Sequence, residues 1–391
     1  MSRRPAHIAM VSIPFHGHVN PSLEIISTLV RRGHRVTYAN DPAAADLTKA
    51  TGAELVPVTS VPPVADNAGI DDPIAQLTLF LDDAVAMLPQ VRTAYADDRP
   101  DLYLYDIAGA PARLLGEQWG IPAVQRSPTS VAWEGYEQEM AAMRADPPGA
   151  DYYRARFTAW LTACGATTTD SMACCGPPSR SLVLPPEAMQ PYADKVDRSV
   201  YTFVGPVLGR RSDEGTWVRP ERADKVLLVS LGSAYTRQPE FYRNCLAALG
   251  ELPGWHVVLQ IGRHTDPREL GTVPPGVDVR TWVPQVAVLA EADACVTHAG
   301  IGSSSEGLYC GTPMIAVPQG AEQFMNADRL ASLGVARRID TADASAAELR
   351  ETLLALTADP AVVARSAELR ARARAEGGTA RAADPVEDAR G

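Results

Sequence analysis

Twice along its length this chain restarts one pattern, a short apolar strand followed by a helix-forming stretch. That repetition limits the fold more than any other feature. His7-Ile8-Ala9-Met10-Val11-Ser12-Ile13 is apolar without clean alternation, as a strand covered on both faces must be. Asn20-Pro21 then supplies a helix N-cap followed by proline at the first helical position. Leu23, Ile26, Leu29 and Val30 follow at helical spacing, and Gly33 stops the helix. Arg35–Ala39 reads as a second strand, with further strands at Leu102–Tyr105 and Pro122–Gln125. The second copy opens on Lys225–Leu231 and continues through Trp255–Ile261, Val277–Val279, Ala294–Thr297 and Met314–Val317.

Alternation of this kind predicts an α/β protein of two Rossmann-like parallel-sheet domains with helices on both faces of each sheet. A length of 391 residues also exceeds one typical core. Gly205–Asp224 (GPVLGRRSDEGTWVRPERAD) has a linker's Gly, Pro and charge. The expected organisation is an N-terminal domain over 1–208, a linker over 209–223, a C-terminal domain over 224–377 and a tail over 378–391. The two domains are expected to face each other across a cleft, with ligands beyond the carboxyl ends of the strands. Leu349–Glu376 has helical composition, Gly377-Gly378 breaks it, and Pro385 would interrupt a final helix, so the tail is expected to fray.

Composition narrows the function. A net charge of −11 gives no electrostatic reason for a nucleic-acid or anionic-membrane partner, although a local basic pocket for an anionic ligand stays compatible with it. Cys164, Cys174, Cys175, Cys245, Cys295 and Cys310 show no metal-site spacing and read as reduced structural thiols. Ser2-Arg3-Arg4 is followed by an apolar run too short and polar for a signal sequence, and no run approaches a membrane span. A cytoplasmic protein is the expectation. Its oligomeric state is not readable.

Chemistry concentrates between Trp282 and Gln323. His298 ends the strand Ala294–Thr297, and Gly300, Gly302 and Ser303 follow where a helix opens. Unpaired backbone N–H groups and the positive end of the helix dipole suit a phosphate there, and glycines let the backbone approach it closely. Trp282 offers a flat face for a base, or ordinary core packing. Ser303-x-x-Glu306 taken alone is a capping-box pattern. His298 has an alternative as a histidine bonded to a loop carbonyl. The parts together point to a nucleotide-sugar pocket. In the first half, His18 lies near a helix start, which disfavours imidazolium and keeps the ring ready to accept a proton. Asp106 closes the strand at an equivalent edge, where a carboxylate orients such a base. His16 is the rival base.

Trp282-Val283-Pro284-Gln285, His298-Ala299-Gly300, Ser303-x-x-Glu306 and Glu322-Gln323 resemble the donor signature of UDP-sugar-dependent glycosyltransferases of GT-B type. His16-Gly17-His18-Val19-Asn20-Pro21 resembles their acceptor-side motif. HGHVNPSL, RGHRVTYA and YTFVGP are similar to the bacterial macrolide glycosyltransferases, and the resemblance runs from about Ala6 to Gly378. It implies that His298 and Ser233 contact the diphosphate, that Trp282 stacks on the base, and that Val283 and Gln285 bond base or ribose. It further implies that Glu306 binds ribose and that Glu322 and Gln323 bind the hexose. His18, selected by the His-x-x-Pro spacing, is implied as the base and Asp106 as its orienting acid.

The implied reaction is inverting transfer of glucose or a related hexose from a UDP-sugar to a hydroxyl of a macrolide or similar bulky natural product, inactivating it. No cofactor is expected to be tightly bound. No Asp-x-Asp pair occurs to hold a metal on the diphosphate, so none is expected to be required. Acceptor contacts are expected from Val61–Phe80 and Ser127–Met143, where Trp133, Tyr136, Met140 and Met143 suit a hydrophobic alcohol or, equally, core. A nucleotide-sugar hydrolase or epimerase, or a non-catalytic activator of another transferase, are the competing readings.

Overall fold

The structure is a computed structural model that describes residues 4–61, 72–143, 148–174, 176–208, 215–233, 235–320 and 322–390, without the side chains at 16, 73, 140–143 and 172. Part of the expected acceptor segment (62–71), the Met140 and Met143 side chains, the His16 side chain, Cys175 and the linker stretch 209–214 lie outside it. The chain forms two compact units. One comprises Met1–Leu184, Tyr192–Val207 and Gly377–Gly391, and the other Pro185–Pro191 and Leu208–Glu376.

The first unit carries seven strands, β1 (His7–Val11), β2 (Arg35–Asn40), β3 (Glu54–Pro57), β4 (Leu102–Asp106), β5 (Ala123–Ser127), β6 (Ser181–Val183) and β7 (Tyr201–Phe203). All pair parallel, in the order β3-β2-β1-β4-β5-β6-β7. Its helices are α1 (His16–Arg31), α2 (Ala45–Thr51), α3 (Pro73–Ala94), α4 (Ala110–Trp119), α5 (Tyr136–Met143), α6 (Ala150–Ala163) and α7 (Ser171–Cys174). Strand alternation divides β1 between two cores: Ile8 and Met10 pack with Ile25, Ile26 and Leu29 of α1, and Ala9 and Val11 with Leu88 and Val91 of α3.

The second unit has six parallel strands, β8 (Lys225–Ser230), β9 (Trp255–Gln260), β10 (Val277–Arg280), β11 (Ala294–Thr297), β12 (Met314–Ala316) and β13 (Ala336–Arg338), in the order β10-β9-β8-β11-β12-β13. The helices are α8 (Pro239–Leu249), α9 (Gln285–Glu291), α10 (Ile301–Cys310), α11 (Gln323–Ser332), α12 (Ala346–Ala358) and α13 (Pro360–Ala375). Leu227 and Val229 face one core and Leu228 the other. In both sheets the strand order reverses beside the first strand, between β1 and β4 and between β8 and β11. Loops leaving such a reversal diverge and leave a crevice at the strands' carboxyl ends.

Several expectations need correction. Asn20-Pro21 does not start the first helix: α1 begins at His16 with Phe15 as N-cap, and Pro21 lies inside. Pro21 is the sixth residue of the helix, where it forfeits one backbone bond to the Gly17 carbonyl, a loss outweighed by the burial of Ile25, Ile26 and Leu29 on the same helix. The stretch 349–376 is two helices, because Asp359 caps the Ala361 N–H (2.9 Å) and Pro360 opens α13. The segment Ile74–Ala94 does reach the length and mean hydropathy, 1.2, of a membrane span. It nevertheless packs Leu81, Met87, Leu88 and Val91 into a core and carries Asp82 and Asp83 at its middle.

The tail is ordered as a helix, α14 (Gly378–Asp388), which contains Pro385. Ala382, Ala383 and Val386 are fully buried in the core shared with α1. Arg32 bonds Asp384 (2.7 Å) and Glu387 (2.9 Å), and His34 bonds Glu387 (3.0 Å). One backbone bond lost at proline is outweighed by this burial, which helix composition alone does not reveal.

Candidate functional site

Each unit presents polar groups at its strand reversal. In the first, α1 starts right after β1, so His18 falls in the helix's first turn. Asp106 is the last residue of β4 and is completely buried. Adjacent strands bring the two together: His18 Nδ1 lies 2.9 Å from Asp106 Oδ2. The other carboxylate oxygen accepts the Ala108 N–H at 2.8 Å, which fixes the carboxylate plane. Because Asp106 takes the Nδ1 side of the ring, Nε2 is left as the nitrogen able to accept a proton, with about 18% of the histidine side chain exposed. The Ser22 hydroxyl and Arg126 Nη2 both donate to the His18 carbonyl, at 2.7 and 2.9 Å.

The second unit's reversal holds His298, one residue beyond β11. Its ring lies between two glycines: a Cβ on Gly232 would come within 2.7 Å of it, and one on Gly300 within 2.3 Å. Ala299 takes a left-handed conformation (φ 60) to make the turn, and Asn326 donates to its carbonyl at 3.0 Å. Burial pushes the His298 imidazolium down to about 4, so at neutral pH the ring offers an N–H and no charge. Nδ1 has no partner among the described residues. Helix α10 opens at Ile301 with Gly300 as N-cap and no side-chain cap, leaving its first N–H groups open. Gly300 therefore serves the histidine, whereas the Cβ direction of Gly302 meets nothing within 4 Å and leaves room for a ligand.

Glu306 is in the second turn of α10, so the capping-box alternative is removed; the carboxylate is buried and accepts from Gln285 Nε2 at 2.5 Å. Gln285 also donates to Ser303 (3.2 Å) and accepts from Ser230 (3.1 Å). Its amide is thus engaged inside the protein and aligns Glu306 and Ser303. Gln260 accepts from the Val283 N–H at 3.1 Å, leaving the Val283 carbonyl. Trp282 is 55% exposed, which removes the core-packing alternative. Ser233 is exposed after Gly232, Glu322 is exposed just before α11, and Gln323 is buried, accepting from the Gln319 N–H at 2.9 Å.

Four residues outside the expected set join these networks: Arg126, Ser230, Gln260 and Asn326. For Ser230 and Gln260 a signal existed, since each is a polar residue directly after the apolar run of its strand. On the acceptor side, Trp133 packs on the core of Val131, Val183, Tyr201 and Phe203, with Tyr136 edge-on at 4.8 Å. Among the described residues no three His, Cys, Asp or Glu side chains gather as a metal site.

Two reversed parallel sheets, one bearing a histidine–aspartate pair and the other an open helix N-terminus beside a neutral histidine, match solved glycosyltransferases over 99% of the chain, which places it among glycosyltransferases of the GT-B fold. The chain belongs to the bacterial macrolide glycosyltransferases of the UDP-glycosyltransferase family. Oleandomycin glycosyltransferase of Streptomyces antibioticus is 55% identical to it over 391 residues, covering 98% of this chain and 90% of that protein. The crystal structure of the glycotransferase of kitacinnamycin matches with a TM-score of 0.91 and 51% identity, covering 99% of both chains. That of the calicheamicin glycosyltransferase matches at 0.86 and 34%, covering 99% of this chain and 98% of the other. The model of the erythromycin biosynthesis protein CIII-like C-terminal domain matches residues 243–387.

Proposed function

We propose that the protein transfers glucose, or a closely related hexose, from a UDP-sugar to a hydroxyl of a macrolide, with inversion at the anomeric carbon and loss of the macrolide's antibiotic activity. His18 Nε2 takes the acceptor's hydroxyl proton as that oxygen attacks the anomeric carbon and UDP departs with the bonding electrons. Asp106 holds the ring in the productive tautomer and stabilises the imidazolium as it forms. The leaving diphosphate is met by the α10 N-terminus, the His298 N–H and Ser233, so turnover is expected to persist in a chelator. Trp282 takes the base, Glu306 the ribose, and Glu322 with Gln323 the hexose.

The observation that carries this reading is the 2.9 Å contact of His18 Nδ1 with Asp106 Oδ2 at the strand reversal. The oleandomycin relative supports a macrolide acceptor. Incubation with UDP-glucose and oleandomycin, read by mass spectrometry, should give the parent plus one hexose. Free hexose with unmodified macrolide would identify a hydrolase instead. His18→Ala should lose about two or more orders of magnitude in kcat; near-normal turnover in the folded variant would sink the mechanism.

A further inference from the structure

We infer that Arg126 is the third member of the His18–Asp106 pair, a positioning residue whose guanidinium fixes both the Asp106 carboxylate and the His18 backbone. The inference rests on the reading of His18 as the base.

Parallel register sets Asp106 opposite Arg126, so their side chains leave the sheet on one face. The Arg126 side chain is fully buried, among the largest in the protein to be so. Its Nη2 lies 2.9 Å from the His18 carbonyl and 3.5 Å from Asp106 Oδ2, the oxygen that also faces His18 Nδ1. One guanidinium nitrogen therefore touches both partners of the pair. Among the described residues Nε and Nη1 are buried and have no partner, and burial holds the guanidinium below its ordinary value. A buried ion pair with unsatisfied donors is poor as a stability device, since an apolar residue of similar volume often serves better. Retaining this one makes sense through the pair it touches.

The electrostatic consequence has a definite sign. A buried carboxylate alone would strongly favour a proton on the imidazole, blocking it as a base. A fixed cation against the same oxygen offsets that pull, and the Nδ1 contact still orients the ring. Two further titratable groups act on this site, Tyr38 of β2 on Arg126 and Asp106, and Asp83 of α3 on Asp106. Tyr38 is fully buried, with its hydroxyl 2.6 Å from Ser12 Oγ, and burial pushes it up to about 12, so it stays neutral. Asp83 accepts from the Ser60 hydroxyl and the Val61 N–H, both at 2.7 Å.

The test compares Arg126→Met and Arg126→Lys with Asp106→Asn and the double variant Arg126→Met/Asp106→Asn, using one donor and one macrolide across pH. Arg126→Met should lower kcat by about tenfold to a hundredfold with both KM values changed little. Its acid limb in kcat/KM should move up by about one pH unit. Arg126→Lys should return that limb most of the way, and the double variant should be no slower than Asp106→Asn alone. Should Arg126→Met not fold, Arg126→Gln takes its place. An unmoved acid limb, with losses that multiply in the double variant, overturns the inference while leaving His18 as the base. Full activity in His18→Ala and Asp106→Asn would instead overturn the reading beneath it.

Discussion

The two glycines beside the α10 N-terminus make opposite demands, and exchanging each for alanine separates them. At Gly300 the backbone is ordinary (φ −59), so alanine adds no dihedral strain there. Its Cβ would, however, stand 2.3 Å from His298 Nε2, where unstrained contact begins near 3.4 Å. The ring must give way by about 1 Å, and Gly232 closes the opposite side at 2.7 Å. A displacement of that size at a charge-stabilising group costs up to about a hundredfold in rate. Alanine is also a worse N-cap than glycine, which weakens α10 by a few tenths of a kcal/mol or more, on the order of the capping scale. At Gly302 the added methyl points into open space and alanine is the better helix former, so Gly302→Ala does not lower the apo protein's melting temperature. If the diphosphate approaches this backbone, Gly302→Ala raises the donor KM; Gly300→Ala lowers kcat with a smaller change in KM. Steady-state kinetics with varied UDP-sugar, alongside thermal melting, read both. Wild-type kcat in a folded Gly300→Ala would refute the cradle, and unchanged donor KM in Gly302→Ala would place the phosphate elsewhere.

Three further outcomes follow from the structure. The folded His298 ring titrates near 4, against 6.5 for an ordinary imidazole, so between those values the unfolded chain binds more protons. Its contribution to stability is full above about 6.5 and declines as pH falls toward 4. His298→Gln should flatten that part of the urea-midpoint profile, and equal slopes would show the ring is not held neutral. Val386→Ala removes two buried carbons from the α14 contact and should cost about 2 kcal/mol in denaturant unfolding, whereas a frayed tail would show no change. Glu306→Gln keeps the buried shape but loses the charge facing Gln285, and should weaken donor binding while leaving the acceptor KM unaltered; an unchanged donor Kd by calorimetry would remove Glu306 from the ribose.

Much of the architecture was legible because it is local. Apolar runs such as Lys225–Leu231 and Ala294–Thr297 announce buried strands, and all nine expected strands are present. The four strands that escaped notice, β3, β6, β7 and β13, are three or four residues long, and each includes a polar residue, with a proline as well in β3. Helix starts were less legible, since Asn20-Pro21 satisfies every local rule for a beginning and the chain begins its helix five residues earlier. Taken alone, the capping pattern Ser303-x-x-Glu306 would also have pointed to a start, whereas the helix had already opened at Ile301.

By itself the sequence determined the alternating elements, the two copies, and which histidines and carboxylates sit at strand ends. Those properties depend on neighbours in the chain. Tertiary structure decided what the polar groups meet. Asp106 reaches His18 across 88 residues, Arg126 joins them through strand register, and Asn326 steadies the turn after His298 across 27 residues. The same holds for Gly300, whose purpose depends on a ring folded back against it, and for α14, which packs beside α1 from the far end of the chain. Burial removes water as a competing partner, so these contacts are set by which strands become adjacent, and no local pattern records that.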